Sequence, residues 1–145
     1  MAYVDGFVIP VPTKNLAAYK KMSQKAGEVW MEYGALDYKE CAGDDLIIEG
    51  MKINFPKTLK LKANETVVFS WIVYASKTER NRILKDVMAD PRMDTMMNMK
   101  NHPFDPKKML MAGFNTIVDM APNSAPKRAA KKMPKKKTAK KKARR

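Results

Sequence analysis

The chain has 145 residues, 45% of them hydrophobic, and a formal net charge of +14; less a tail too charged to pack, this suffices for one ordinary core and one domain. Twelve of its 29 basic residues fall between Pro122 and Arg145, where there is no Asp or Glu, leaving seventeen basic against fifteen acidic side chains in a nearly neutral body. A single cysteine, Cys41, excludes an intramolecular disulfide and fits a reducing compartment. No apolar run approaches the roughly 20 residues of a membrane span. Met1-Ala-Tyr-Val-Asp5 lacks the basic start of a signal peptide, so a soluble cytoplasmic protein is expected.

Tyr3 to Val11 reads as a strand, with Tyr3, Asp5, Phe7 and Ile9 on one face and Pro10 and Pro12 expected to stop it. Thr13 is the expected N-cap of a helix whose apolar stripe is Leu16, Tyr19, Met22, Ala26, Val29, Trp30 and Tyr33. Gly34 stands where a left-handed residue would end that helix. Leu36 to Cys41 predicts a second strand, and Thr58-Leu-Lys-Leu-Lys62 alternates like an exposed third. Thr66 to Tyr74 is the strongest strand: Val67, Phe69, Trp71 and Val73 alternate with Val68, Ser70, Ile72 and Tyr74. Apolar residues on both faces predict a central strand covered on both sides. Ser76-Lys-Thr-Glu79 is a capping box opening a helix buried through Ile83, Leu84, Val87 and Met88. Asp90-Pro91 ends it or starts a short turn to Met97, a last strand runs from Leu110 to Val118, and Ala121 to Pro126 is a linker by composition.

The order β-α-β-(β)-β-α-β predicts an α+β ferredoxin-like sandwich with both helices on one face. The free sheet face is expected to close against a second copy as a dimeric α/β barrel. The domain is expected over residues 1–121 and a disordered tail over 122–145. Four segments carry a resemblance: Tyr3-Val-Asp-Gly-Phe-Val-Ile-Pro-Val-Pro12, Val67-Val-Phe-Ser-Trp-Ile-Val-Tyr74, Val87-Met-Ala-Asp-Pro-Arg-Met93 and Pro103-Phe-Asp105. Together they resemble the YbaA-like family of small bacterial proteins over about residues 2 to 120. The resemblance implies the dimeric α/β-barrel fold of ferredoxin-like kind, implies no activity, and leaves the basic tail as an addition.

The tail's cations are Lys127, Arg128, Lys131, Lys132, Lys135, Lys136, Lys137, Lys140, Lys141, Lys142, Arg144 and Arg145. Spaced cations without core-forming residues predict disorder and sequence-independent, salt-sensitive binding to DNA or RNA through counterion release. With no aromatic residue to stack on bases, base-specific reading is not expected. A nucleoid location would follow for a DNA-bound tail. An acidic protein or membrane surface, or plain solvation, is the alternative; no apolar anchor or lipidation motif supports a membrane partner.

Within the domain, His102 and Asp5 are the candidate proton-transfer residues. A lone histidine in a Pro-flanked polar loop is more often solvated, and Asp5 more often a satisfied structural carboxylate. Asp5, Trp71, Tyr38, Glu40 and Arg92 are the candidate cavity residues, with Arg92 as a possible basic partner for Asp5. Cys41, near Asp44 and Asp45, reads as structural, because carboxylates raise a thiol's pKa. One His and one Cys without close ligand spacing predict no metal site, and no cofactor is expected. Met88, Met93, Met96, Met97, Met99, Met109 and Met111 form a dense cluster, expected to pack a core or an adaptable interface. Two functions stand side by side: a dimeric binding protein held on nucleic acid by its tail, and a cofactor-independent oxygenase- or isomerase-like enzyme acting on a small apolar molecule in the barrel cavity.

Overall fold

Four strands and four α-helices follow one another in the computed structural model, which describes residues 1–122. Strand β1 (Tyr3–Pro12) leads through a 3-10 turn, Thr13–Asn15, into α1 (Leu16–Glu32). Strand β2 (Asp37–Ala42) is followed by a long connection that holds the short α2 (Phe55–Leu59). Strand β3 (Glu65–Tyr74), α3 (Lys77–Met88), α4 (Pro91–Met97) and β4 (Leu110–Asn115) complete the order. These elements belong to one unit, Met1–Asn115. Residues 116–122 contain no helix or strand, and the tail cations from Lys127 to Arg145 lie outside the described residues.

The sheet order is β2-β3-β1-β4, antiparallel throughout, the ferredoxin-like arrangement that the element order predicts. Strand β3 is central, as its two-sided apolarity required. Its partners set the faces: Asp5 pairs with Ile72, Phe7 with Ser70 and Ile9 with Val68, whereas Gly6 pairs with Trp71 and Val8 with Phe69. The first set lies under the helices. There Val29 and Trp30 of α1 meet Ile72 and Tyr74 of the sheet and Ile83 and Val87 of α3. A second cluster, Ile9, Val11, Tyr19 and Val68, continues the core toward the other end of β1. The second set forms an open face, where Phe69 and Phe114 remain 47% and 56% exposed.

Local signals acted as expected at two helix boundaries. Gly34 has φ +115° after α1, a conformation that favours glycine. The Ser76 hydroxyl accepts from the Glu79 amide at 3.1 Å and caps α3. Other expectations are corrected. Thr13 caps no α-helix: it lies in the 3-10 turn, and α1 begins at Leu16 without a side-chain cap. Strand β1 does end at the prolines, at Pro12 and one residue past the expected Val11, with Pro10 inside it; β4 ends its pairing opposite Val8. Beyond that point β1 has a free edge, where a missing N–H costs no ladder bond. The strand expected at Thr58–Lys62 is absent. Asn54 accepts from the Lys57 amide at 2.9 Å, Pro56 occupies the first turn, and Lys60 closes α2 in the left-handed region. Strand β4 stops at Asn115 rather than Val118.

Candidate functional site

Between the sheet and helices α1, α3 and α4 lies a cavity of about 270 Å³. Its floor is the helix-side face of the strands: Asp5, Phe7 and Ile9 of β1, Tyr38 and Glu40 of β2, and Ser70 and Ile72 of β3. Tyr19, Met22 and Trp30 of α1 form one wall. The opposite side comprises Leu84, Met88, Met93, Met96 and Met97 with His102, Phe104, Met109 and Met111. Six methionines of the cluster noted in the sequence therefore line an internal space; Met99 does not border it.

The polar end is built around Glu40. Period-two alternation in β2 puts Tyr38 and Glu40 on one face, opposite Ile72 and Ser70. The Tyr19 hydroxyl donates to one carboxylate oxygen of Glu40 at 2.8 Å and the Tyr38 hydroxyl to the other at 2.9 Å. Burial pushes the Glu40 carboxyl above its ordinary value, while hydrogen bonds from Tyr19, Tyr38 and Ser70 pull in the other direction without overcoming it. Burial is also the first cause that raises both phenols, followed by the Glu40 charge. The site thus holds a carboxyl that burial makes a stronger base than usual, between two phenols that stay protonated. Such a group can take a proton from, or return it to, a molecule beside it.

Gly27 makes this placement possible. The Tyr38 ring lies across α1 at that residue, and a Cβ there would stand 2.8 Å from two ring carbons. Tyr38 also tilts against Trp30, with ring centroids 6.2 Å apart.

Asp5 reaches the same cavity in a different state. It is buried, and its carboxylate receives Arg80 through Nε at 3.0 Å and through a terminal nitrogen at 2.8 Å. Tyr74 donates to it as well, and the Trp30 indole donates to the Tyr74 hydroxyl at 3.0 Å. The Arg80 guanidinium stacks over Tyr3, 5.3 Å from the ring centroid. Asp5 is therefore a charge held by a basic partner and by a buried network.

That partner is Arg80 and not Arg92, a correction that follows from helix placement. Arg92 sits outside the cavity lining, where it clamps Asp90 at 2.9 Å and Glu32 at 3.0 Å. Trp71 borders the cavity, but its register opposite Gly6 puts its side chain on the open face, where its ring lies 5.7 Å from Phe69. Trp71 and Asp5 consequently do not converge. Cys41 is a free, exposed thiol on that same open face, opposite Phe69. Tyr19 and Ser70 were visible in the sequence only as members of a helix stripe and a strand face.

His102 lines the cavity from the loop after α4. Its Nε2 lies 3.1 Å from the Met97 carbonyl oxygen. Its Nδ1 is buried and has no hydrogen-bond partner among the described residues. Phe104 stands edge-on between His102 and Tyr19, with centroids 6.3 and 5.6 Å away. Among the described residues no group of three or more His, Cys, Asp or Glu side chains could hold a metal ion, and no helix is long and apolar enough to cross a membrane.

The fold is shared with SnoaB, a cofactor-independent oxygenase from Streptomyces nogalater. Its crystal structure superimposes with a TM-score of 0.51 at 10% identity, covering 82% of this chain and 96% of that one. At that identity the likeness concerns architecture alone. Sequence relatives are nearer: the uncharacterized protein YbaA of Escherichia coli K12 is 42% identical over 119 residues, covering 82% of this chain and 99% of YbaA. YbaA of Shigella flexneri matches to the same extent. Residues 2–106 match DUF1428, a family described as proteins of unknown function. The chain accordingly belongs to the DUF1428 family, with YbaA among its relatives.

Proposed function

We propose that the domain binds a small, largely apolar molecule in the cavity under its sheet and transfers a proton to or from it through Glu40. The observation that carries this reading is a carboxyl pushed upward by burial, gripped by Tyr19 and Tyr38, at the polar end of an otherwise apolar space. Asp5 is set aside as the base because Arg80 and Tyr74 already engage its carboxylate. Removing a proton from an acidic C–H is the step that isomerisation and cofactor-independent oxygenation have in common. The shared architecture with an oxygenase of that kind supports the reading at the level of fold only.

The test uses 2-tetralone, a bicyclic ketone with acidic C–H bonds. The full chain should accelerate its exchange with solvent deuterium, and Glu40→Gln should lower that acceleration by about 10²-fold or more, the usual share of a positioned acid or base. No acceleration, or equal rates for both proteins, would refute the assignment.

The open sheet face supports a homodimer. Phe69, Trp71 and Phe114 present an apolar surface that a second copy would cover, and a monomer at micromolar concentration would count against it. A separate role belongs to the tail, where twelve Lys and Arg without an acidic residue support nonspecific binding to DNA or RNA. With about half of those charges on phosphate, log K should fall with log salt at a slope of roughly −5 on duplex. A chain ending at Met120 that bound DNA equally well would exclude the tail as the contact.

A further inference from the structure

We propose that the cavity's ligand is a straight-chain ketone of about ten carbons lying across the sheet, its carbonyl end at Glu40 and its tail at Met111. The inference rests on reading Glu40 as the proton-transfer group and names the substrate class that the cavity's shape selects. A row of side chains carries it. Register places Glu40 of β2 opposite Ser70 of β3, Ser70 opposite Phe7 of β1, and Phe7 opposite Met111 of β4. All four border the cavity, so one row crosses the strands beneath it from one edge of the sheet to the other. Along that row the side chains pass from carboxyl to hydroxyl to phenyl to thioether.

Length and girth follow from the row. Three strand spacings of about 4.8 Å separate Glu40 from Met111, roughly 14 Å, which is about the length of ten carbons in an extended chain. A volume of about 270 Å³ spread over that length leaves a section of about 20 Å², which admits one hydrocarbon chain but not two side by side. The two ends differ in access. The Glu40 end is walled by Tyr19 and Tyr38, whose hydroxyls engage its carboxyl. At the other end Met88, Met97 and Met111 border the cavity and are nevertheless 44%, 58% and 44% exposed. They mark a mouth between the last residues of α3 and α4 and the start of β4. A chain longer than the row would project through that mouth into water.

The experiment titrates the full chain with 2-hexanone, 2-octanone, 2-decanone and 2-dodecanone and follows binding through ¹³C-methyl methionine signals. Each methylene added along the row should tighten binding about fourfold, and the gain should level off between 2-decanone and 2-dodecanone. Met22, on the same face of α1 as Tyr19, should respond to all four ketones at saturation. Met111 should respond to 2-decanone and 2-dodecanone but not to 2-hexanone. Affinity that ignores chain length, or that keeps climbing fourfold per methylene beyond ten carbons, would overturn the assignment. So would a Met111 signal that moves as far with 2-hexanone as with 2-decanone, or methionine signals that no ketone moves. The Glu40 reading is decided separately by the 2-tetralone exchange, so its failure and the failure of the chain assignment are told apart. No substitution is needed, and folding of a variant cannot blunt the result.

Discussion

Replacing Gly27 with alanine sets two known effects against each other at the base of the candidate site. Gly27 lies in the interior of α1, where alanine is ordinarily better by about 1 kcal/mol. The new Cβ, however, would stand 2.8 Å from Cδ1 and Cε1 of Tyr38, well inside the roughly 3.5–4.0 Å of carbon contact. The ring cannot swing away freely, because its hydroxyl is bonded to Glu40 at 2.9 Å and its face meets Trp30. Overpacking of this kind costs about 1–3 kcal/mol, so the net effect should be a loss of about 1 kcal/mol. Urea unfolding should show the midpoint falling by roughly half a molar, given slopes of about 1–3 kcal/mol/M. In a Tyr38→Ala background the same substitution should instead stabilise by about 1 kcal/mol, because the clash is gone and the helix gain remains. Equal stabilisation in both backgrounds would refute the argument that the Tyr38 ring requires a glycine.

Two further outcomes concern charge. The folded state holds Glu40's carboxyl above its ordinary value of 4.5, so it binds that proton more tightly than the unfolded chain. This contribution is fully present below about pH 4.5 and is lost as pH rises through the folded value. Stability of the parent should therefore fall relative to Glu40→Gln across that window, and parallel pH profiles would contradict it. Asp90 gives the opposite sign: Arg92 first, then Tyr33, hold it far below its ordinary value of 3.8. Its contribution is present above that value and lost as pH falls through the folded one, so Asp90→Asn should flatten the acid limb. Finally, Arg80→Met leaves Asp5 buried without its cation and should cost about 3 kcal/mol, whereas Asp5→Asn combined with Arg80→Met should recover a large part. A single substitution as mild as an ordinary surface change would show that Asp5 does not depend on Arg80.

The parts of the fold visible in the sequence are those fixed by neighbours along the chain. Alternation over Glu65–Tyr74, the Ser76 cap and Gly34 each state a local geometry, and each is found. Thr58–Lys62 misled because its two leucines alternate with polar residues, whereas Asn54 and Pro56 together begin a helix. Tyr38 and Glu40 were legible as cavity residues because period two puts them on one face. Trp71 also borders the cavity, but the turn of its ring toward the open face was not legible, because alternation sorts residues within a strand and does not say which residue of β1 stands opposite. The register Gly6–Trp71 decides that, and it comes from packing. Arg80 escaped for a similar reason: pairing with Asp5 depends on where α3 crosses β1, which no spacing along the chain encodes. Tyr19 carried the periodicity of a core residue, and only the Glu40 contact distinguishes it from its neighbours.

The cavity is stiff at one end and soft at the other. Glu40 is held by phenols from α1 and from its own strand, and Gly27 admits one of those phenols. The far end is lined by unbranched methionines on a seven-residue helix and on the loop that follows. Unbranched thioethers repack at little cost, whereas a carboxyl anchored at both oxygens does not. Such a pocket behaves as a lock cut at one end only. Molecules that differ in the groups at the carboxyl end would be sorted sharply, while those that differ in apolar outline at the methionine end would be accepted alike. The protein would then serve a chemical class rather than a single compound.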